Sequence, residues 1–163
     1  MAKSDFTAQR VRELLNYDPR TGLLTWKIGR KKAACGSLAG TVTKDGYVRI
    51  SIDGVKVYAH CAAWLLEHGT WPAAQIDHIN GVRDDNRIEN LRDVSASVNQ
   101  QNARRARRDN ISGFLGVTRH KKLWTAQLTV NGRTLHLGLF RKPEDASDAY
   151  LVAKRKHHEG CTI

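Results

Sequence analysis

Apolar residues recur along this chain with two periods, and the switches between them mark out its elements. Phe6, Val11, Leu14 and Leu15 fall near helical spacing after Asp5, which predicts an N-terminal helix ended by the Pro-containing turn Tyr17 to Thr21. Leu23 to Ile28 reads as a strand. Val48, Ile50 and Ile52 alternate before Asp53-Gly54, and Val55, Val57 and Ala59 alternate after it, so a two-residue hairpin is expected there. His60 to His68, with Ala63, Trp64 and Leu66 near helical spacing, predicts a short helix covering that hairpin. Gly69 stops it, and Trp71-Pro72 leads onward.

The alternation resumes after Ser112-Gly113. Residues 114–122, then 124–130, then 133–140 beyond an Asn131-Gly132 turn predict a three-stranded antiparallel meander. Trp124, Ala126, Leu128 and Val130 fall on one side with Leu135, Leu137 and Leu139; Gln127, Thr129, Thr134 and His136 fall on the other. A helix opening at Pro143, with Glu144 and Asp145 in its first turn, turns Ala146, Ala149, Tyr150 and Ala153 to the apolar side. Lys154, Arg155, Lys156, His157 and His158 gather at its C-terminal end, where cations complement the helix dipole.

Between these halves, residues 77–99 carry candidate chemistry. Asp77-His78 closes a short apolar approach, Asn90 follows thirteen residues after Asp77, and Asn99 nine beyond that. Asp84, Asp85 and Asn86 favour an irregular loop, because such side chains bond their own backbone. Leu91 to Val94 is expected to pair back on Ile76, and Ser95 to cap a helix holding Val98, Asn99 and Asn102. Asp77, His78 and Asn99 would then meet at one end of a strand-loop-strand-helix unit. A hard divalent cation wants oxygen ligands, which the Asp77 carboxylate and the Asn99 amide supply. A neutral His78 would take a proton from an attacking water, and Asn90 would pin the loop by side-chain to backbone hydrogen bonds. An Asx-rich turn with a solvated His78 is the bland alternative.

In residue type and spacing this segment resembles the HNH (ββα-metal) nuclease motif of phage-encoded and homing-type endonucleases. The resemblance implies Asp77 and Asn99 as metal ligands, His78 as general base and Asn90 as the loop brace, with a core at about 75–106 inside a nuclease domain spanning 1–108. It also implies magnesium, or manganese, and products ending in a 5′-phosphate and a 3′-hydroxyl. Phage relatives resemble the chain from about Leu15, through the Asp-Pro-x-Thr-Gly turn at 18–22, the Lys-Asp-Gly-Tyr turn at 44–47 and Ala59-His60. Cys61 departs from the Arg these relatives often carry. His60 either sits near the active site or, the preferred reading, is simply packed and hydrogen-bonded.

Charge sharpens the choice of partner. Of a net charge of +11, residues 1–99 contribute an excess of 3 (14 Lys/Arg against 11 Asp/Glu) and residues 100–163 an excess of 8 (13 against 5). A polyanion contact is therefore weighted to the C-terminal part. No apolar run reaches spanning length and no signal-like start appears, so double-stranded DNA is expected rather than a membrane, in a cytoplasmic setting. Cys35, Cys61 and Cys161 form no CxxC pair, so no structural zinc is expected; the odd count fits a reducing compartment, and Cys61 reads as a small buried apolar residue. Arg30, Lys31 and Lys32 form a basic loop that either touches phosphate or is simply solvated.

The run 99–110 extends the helix into Arg104, Arg105, Arg107 and Arg108, which lie on more than one helical face and suit a helix or arm along a phosphate backbone. Beyond it, residues 109–163 form a second domain. Gly113-Phe-Leu-Gly-Val, the Trp124 strand, Asn131-Gly132, Leu137-Gly138 and Pro143-Glu-Asp-Ala resemble the plant Apetala/ethylene-response-factor DNA-binding domain over Ser112 to Gly160. The resemblance implies a sheet laid in the major groove, with Leu115, Thr118, His120, Gln127, Thr129, Thr134 and His136 on the reading face. The plant domains carry Arg and Trp at several of these positions and this chain mostly does not, so the docking mode transfers better than any target sequence. Gln127 and His136 would read base edges, while Arg119, Lys121, Lys122 and Arg133 would grip phosphates.

The expectation is therefore an α+β protein: an N-terminal helix and β-hairpins leading into a ββα-metal nuclease unit, then a three-stranded antiparallel sheet on one helix. It would act as a metal-dependent endonuclease of duplex DNA. The alternative from another class is a DNA-binding regulator with an idle nuclease motif. An RNA-directed role fits less well, because the reading face lacks exposed aromatics for stacking single-stranded bases.

Overall fold

The computed structural model describes residues 8–31 and 33–163. Asp5, Phe6 and Lys32, all named above, lie outside the described residues. The chain has mixed α and β structure with several small antiparallel sheets, and it divides into two compact units, Met1–Ser95 and Ala96–Ile163.

In the first unit, α1 (Ala8–Leu14) buries Val11 and Leu14, which lie one turn apart on one face. Leu15 was expected to continue the helix. Instead it opens strand β1 (Leu15–Tyr17), which pairs with β2 (Leu24–Trp26) around a tight Asp18–Gly22 turn, where the Gly22 N–H donates to the Asp18 carbonyl at 2.8 Å. Pairing satisfies the β1 backbone and leaves Leu15 fully buried, an outcome helical periodicity alone cannot distinguish from one more helical turn.

A short β3 (Thr41–Val42) joins the expected hairpin of β4 (Val48–Ile52) and β5 (Val55–Tyr58). Asp53 and Gly54 both take positive φ, 48° and 82°, as a twist-matched two-residue turn requires. Ile50 and Ile52 are completely buried under α2 (Ala59–His68), each worth roughly 2–3 kcal/mol of apolar burial. The helix packs through Ala59, Ala62, Ala63 and Leu65, whereas Trp64 and Leu66, expected to face the hairpin, are half-buried. The small alanines allow close approach, which pushes the larger side chains to the flank. Strands β6 (Gln75–His78) and β7 (Leu91–Val94) pair antiparallel, with Asp77 opposite Arg92 and His78 opposite Leu91, and Ile76 and Leu91 join the same core.

The second unit begins with α3 (Ala96–Gln101) and contains the sheet β10-β9-β8, formed by β8 (Val117–His120), β9 (Leu123–Val130) and β10 (Arg133–Phe140), packed on α4 (Pro143–His157). The division falls before α3 rather than after residue 108 because α3 and its exit bond the C-terminal segment. Gln101 accepts the Gly160 N–H at 2.9 Å, Thr162 donates to Asn102, and the Lys154 ammonium donates to the Ala103 carbonyl. These bonds also end the helix, so the arginine run that was expected to prolong it is an irregular exposed arm.

Lys154 is thus not a solvated dipole partner but a buried anchor, 1% exposed, its ammonium pushed below the usual lysine range by burial. Within α4, Ser147 takes a buried place that was expected of Ala149. A bulge between His136 and Gly138 adds Leu137 to β10 and reverses the alternation beyond it. Gly138 and Phe140 then pair with Ala126 and Trp124 on the helix side, while Leu139, expected in the core, stands opposite Thr125 and is exposed.

Candidate active site

The site is built on the end of β6. Strand alternation turns Asp77 and His78 to opposite faces, and both are buried, His78 to 4% exposure. Across the pair of strands the Arg92 guanidinium donates twice to Asp77 Oδ2, at 2.9 Å from Nε and 2.7 Å from Nη2.

Residues 79–90 form a loop closed by its own polar side chains. Asn90 Oδ1 accepts the Asn80 N–H at 2.9 Å, and Asn90 Nδ2 donates to the Asp85 carbonyl at 2.7 Å, so this amide ties both ends of the loop. Asp85 receives Arg87 at 2.8 Å and Asn80 Nδ2 at 2.7 Å, and the Arg87 hydrogen bond leads the interactions that hold its carboxyl down to about 2.

The loop delivers Asn86 to the imidazole. Its Oδ1 lies 3.3 Å from His78 Nε2, while its Nδ2 donates to the Asp84 carbonyl at 3.1 Å. Because the amide nitrogen is engaged elsewhere, the oxygen faces the ring and Nε2 must be the donor, which leaves the neutral imidazole's lone pair on Nδ1. Burial lowers the His78 pKa from its ordinary value, against smaller opposing pulls from Asn86, Asp77 and Asp85. The ring is therefore neutral at pH 7.

Asn86 is in turn braced from β1 and the turn after it. The Tyr17 hydroxyl donates to the Asn86 carbonyl at 2.8 Å, and the Ile88 N–H donates to Pro19 O at 3.2 Å. A Cβ on Gly22 would lie 2.5 Å from Arg87 N and 2.6 Å from Asn86 C, so the Asp-Pro-x-Thr-Gly turn is seated directly on the loop backbone. Sequence reasoning took Asn86 only for a turn former. The run of Asx residues marked a loop, but no local signal tells which of them closes onto an imidazole eight residues earlier.

His60 stands on the other side of His78, ring centroids 5.2 Å apart and perpendicular, with Tyr58 stacked on it at 5.3 Å and Tyr47 edge-on at 5.4 Å. It is packed as expected, yet its buried Nδ1 has no hydrogen-bond partner among the described residues. Burial, with a smaller contribution from His78, pushes it down to about 4. Cys61 is half-buried, its thiol pushed up to about 11 by burial.

Asn99 lies on α3, in the second unit. Among the described residues no group of three or more His, Cys, Asp or Glu side chains could hold a metal. The Asp77 carboxylate and the Asn99 amide are oxygen donors, a kind of ligand that fits a hard divalent cation.

Residues 57–101 match the HNH endonuclease family model. No curated protein and no solved structure matches the chain. The HNH segment contains Asp77, His78, Asn86, Asn90 and Asn99, and the match supports a nuclease, a hydrolase acting on DNA. No helix among the described residues is long and apolar enough to cross a membrane.

The remaining expected contacts lie in the second unit. Arg104, Arg105, Arg107, Arg108, Arg119, His120, Lys121, Lys122, Gln127, Thr129, Arg133 and His136 are all exposed. Register puts Thr118, Gln127, Thr129, Thr134 and His136 on the sheet face turned away from Ala126 and Leu128, whereas Leu115 packs on the core behind it. Arg119 sits 4.7 Å over the Trp124 ring. His136 Nδ1 accepts the Gly138 N–H at 3.2 Å, which leaves Nε2 as the ring nitrogen that can donate. In the first unit Arg30 donates to Asp53 at 2.9 Å and lies over Trp26.

Proposed function

We propose that this protein is a metal-dependent endonuclease of duplex DNA, in which His78 activates the attacking water. The observation that carries this reading is the His78–Asn86 pair: a buried imidazole inside the HNH match, its Nε2 held 3.3 Å from the Asn86 amide oxygen. Asn90 holds the loop that supplies Asn86. Asp77 and, from its spacing within the HNH match, Asn99 would hold a divalent cation, magnesium or manganese, as in a ββα-metal unit. When bound, such an ion stabilises charge on the phosphate and on the departing oxygen. Hydrolysis would leave a 5′-phosphate and a 3′-hydroxyl.

The second unit would hold the duplex, as in the plant-type domain it resembles. Its outward sheet face suits the major groove, with Gln127 and His136 as donors to base edges. The arginine arm and the basic turn at Lys121-Lys122 suit phosphates. Supercoiled plasmid with magnesium or manganese tests the whole reading. The parent should nick or linearise it, EDTA should stop the reaction, and His78→Ala should abolish cutting while duplex binding persists. Loss of binding together with cutting would make His78 structural.

One observation favours a second reading, a DNA-binding regulator with an idle motif. Arg92 already neutralises Asp77, and a carboxylate so paired attracts a cation less strongly. A parent protein that shifts plasmid mobility without breaking a strand would establish that reading.

A further inference from the structure

The nuclease unit carries cations that neither the catalytic residues nor the fold accounts for. Register and alternation place Thr41, Arg49, Ser51, Lys56 and Tyr58 on the outer face of the β3–β4–β5 sheet, away from the buried Ile50 and Ile52. An open cleft of about 590 Å³ lies there, lined among others by Lys44, Asp45, Arg49, Ser51 and Lys56. Three cations face one carboxylate.

Four arginines elsewhere in the unit are paired with carboxylates: Arg10 and Arg30 with Asp53, Arg87 with Asp85 and Glu89, Arg92 with Asp77. Lys44, Arg49 and Lys56 enter no salt bridge among the described residues, and Lys44 and Lys56 are exposed. Like charges on one small face repel, so this arrangement costs stability unless an anion neutralises it.

The cleft also has a direction. At one end Arg49 lies 5.7 Å over the ring of Tyr58, which is 42% exposed and stacked on His60, and His60 abuts His78. Beside it the turn through Lys44 and Asp45 is tied to the catalytic loop, since Arg83 donates to the Asp45 carbonyl at 2.8 Å and covers Tyr47, whose ring lies 5.9 Å from that of His78.

We propose that this cleft seats the sugar-phosphate backbone of the DNA strand that runs to His78, with Lys44, Arg49 and Lys56 on successive phosphates and Tyr58 at the approach to the scissile one. Its direction rests on the nuclease reading above; its occupancy by a phosphate chain does not. Evenly spaced anionic charge is what three cations without salt bridges along a shallow open groove complement, and the openness of this groove disfavours a small molecule.

The test uses the full-length Lys44→Gln/Lys56→Gln double variant, with Lys44→Arg/Lys56→Arg as a charge-preserving control and thermal melts to confirm folding. Binding to a duplex fragment in EDTA is measured from 50 to 200 mM salt. Removing two phosphate contacts should flatten the log–log salt slope by about 1.8, so that over this range the parent loses about 12-fold more affinity than the glutamine variant. The arginine control and His78→Ala should keep the parental slope. An unchanged slope in a folded glutamine variant overturns the cleft assignment, as does a change seen on single-stranded RNA but not on duplex DNA. If the parent cuts nothing while the glutamine variant still flattens the slope, the nuclease reading falls and the cleft stands.

Discussion

Replacing Asn86 by alanine removes the acceptor that sets the His78 tautomer, and the structure bounds what should follow. The contact is long, 3.3 Å, which puts its own net worth at about 1 kcal/mol, but Asn86 is only 3% exposed, so water cannot readily take its place. Leaving a buried imidazole N–H without an acceptor adds a penalty of roughly 1–3 kcal/mol. Stability should therefore fall by about 2 kcal/mol, a drop of roughly 10 °C in melting temperature for a unit of this size. Catalysis should suffer separately. An acceptor worth 1 to 1.5 kcal/mol biases the tautomers about fivefold to tenfold, and it also fixes the ring's rotation; a general base contributes at most about 10²–10⁴. We expect kcat for single-turnover plasmid nicking to fall about 30-fold with KM unchanged, because Asn86 is too buried to touch DNA. Asn86→Asp keeps an acceptor for Nε2 and should recover most of the rate. The assay is run at 15 °C, where both variants remain folded by circular dichroism. Parental turnover by folded Asn86→Ala would refute the claim that Asn86 positions the base.

Two further outcomes follow from the same region. In Gly22→Ala the new Cβ meets Arg87 N at 2.5 Å in a backbone with φ of 73°, so urea unfolding should show a loss of about 3 kcal/mol or more, and surviving folded protein should nick slowly because Asn86 is displaced; a neutral substitution would show that the turn does not brace the loop. His60, pushed down to about 4 by burial and by His78, favours its neutral form in the fold, so its contribution is fully present above the unfolded value of 6.5 and is lost as pH falls towards 4, up to about 3 kcal/mol. His60→Phe should remove that dependence; identical denaturation curves for parent and variant at pH 4.5 and 7, each relative to its own maximum, would contradict it.

Much of the fold was readable in the alternation itself. Asp53-Gly54 and Asn131-Gly132 specify hairpins because their neighbours alternate and both turn residues tolerate positive φ. Gly69 closes α2 in the left-handed conformation for the same kind of local reason. Where the reading failed, a distant partner decided. Leu15 became a strand because Trp26 was there to pair with it, and the arginine run left the helix because Lys154 and Thr162, more than fifty residues away, bind its exit. The Leu137 bulge moved Leu139 to the outer face because one inserted residue reverses every later side chain of a strand.

Residue type and spacing alone singled out Asp77, His78, Asn90 and Asn99 as candidates for metal-assisted hydrolysis, since those are properties of the side chains. Only the folded chain decided which amide holds the imidazole, what braces that amide, and which lysines stay unpaired beside it. Hydrogen-bond partners and charge neutralisation depend on distances between residues remote in sequence, and these are set by how the strands and loops pack.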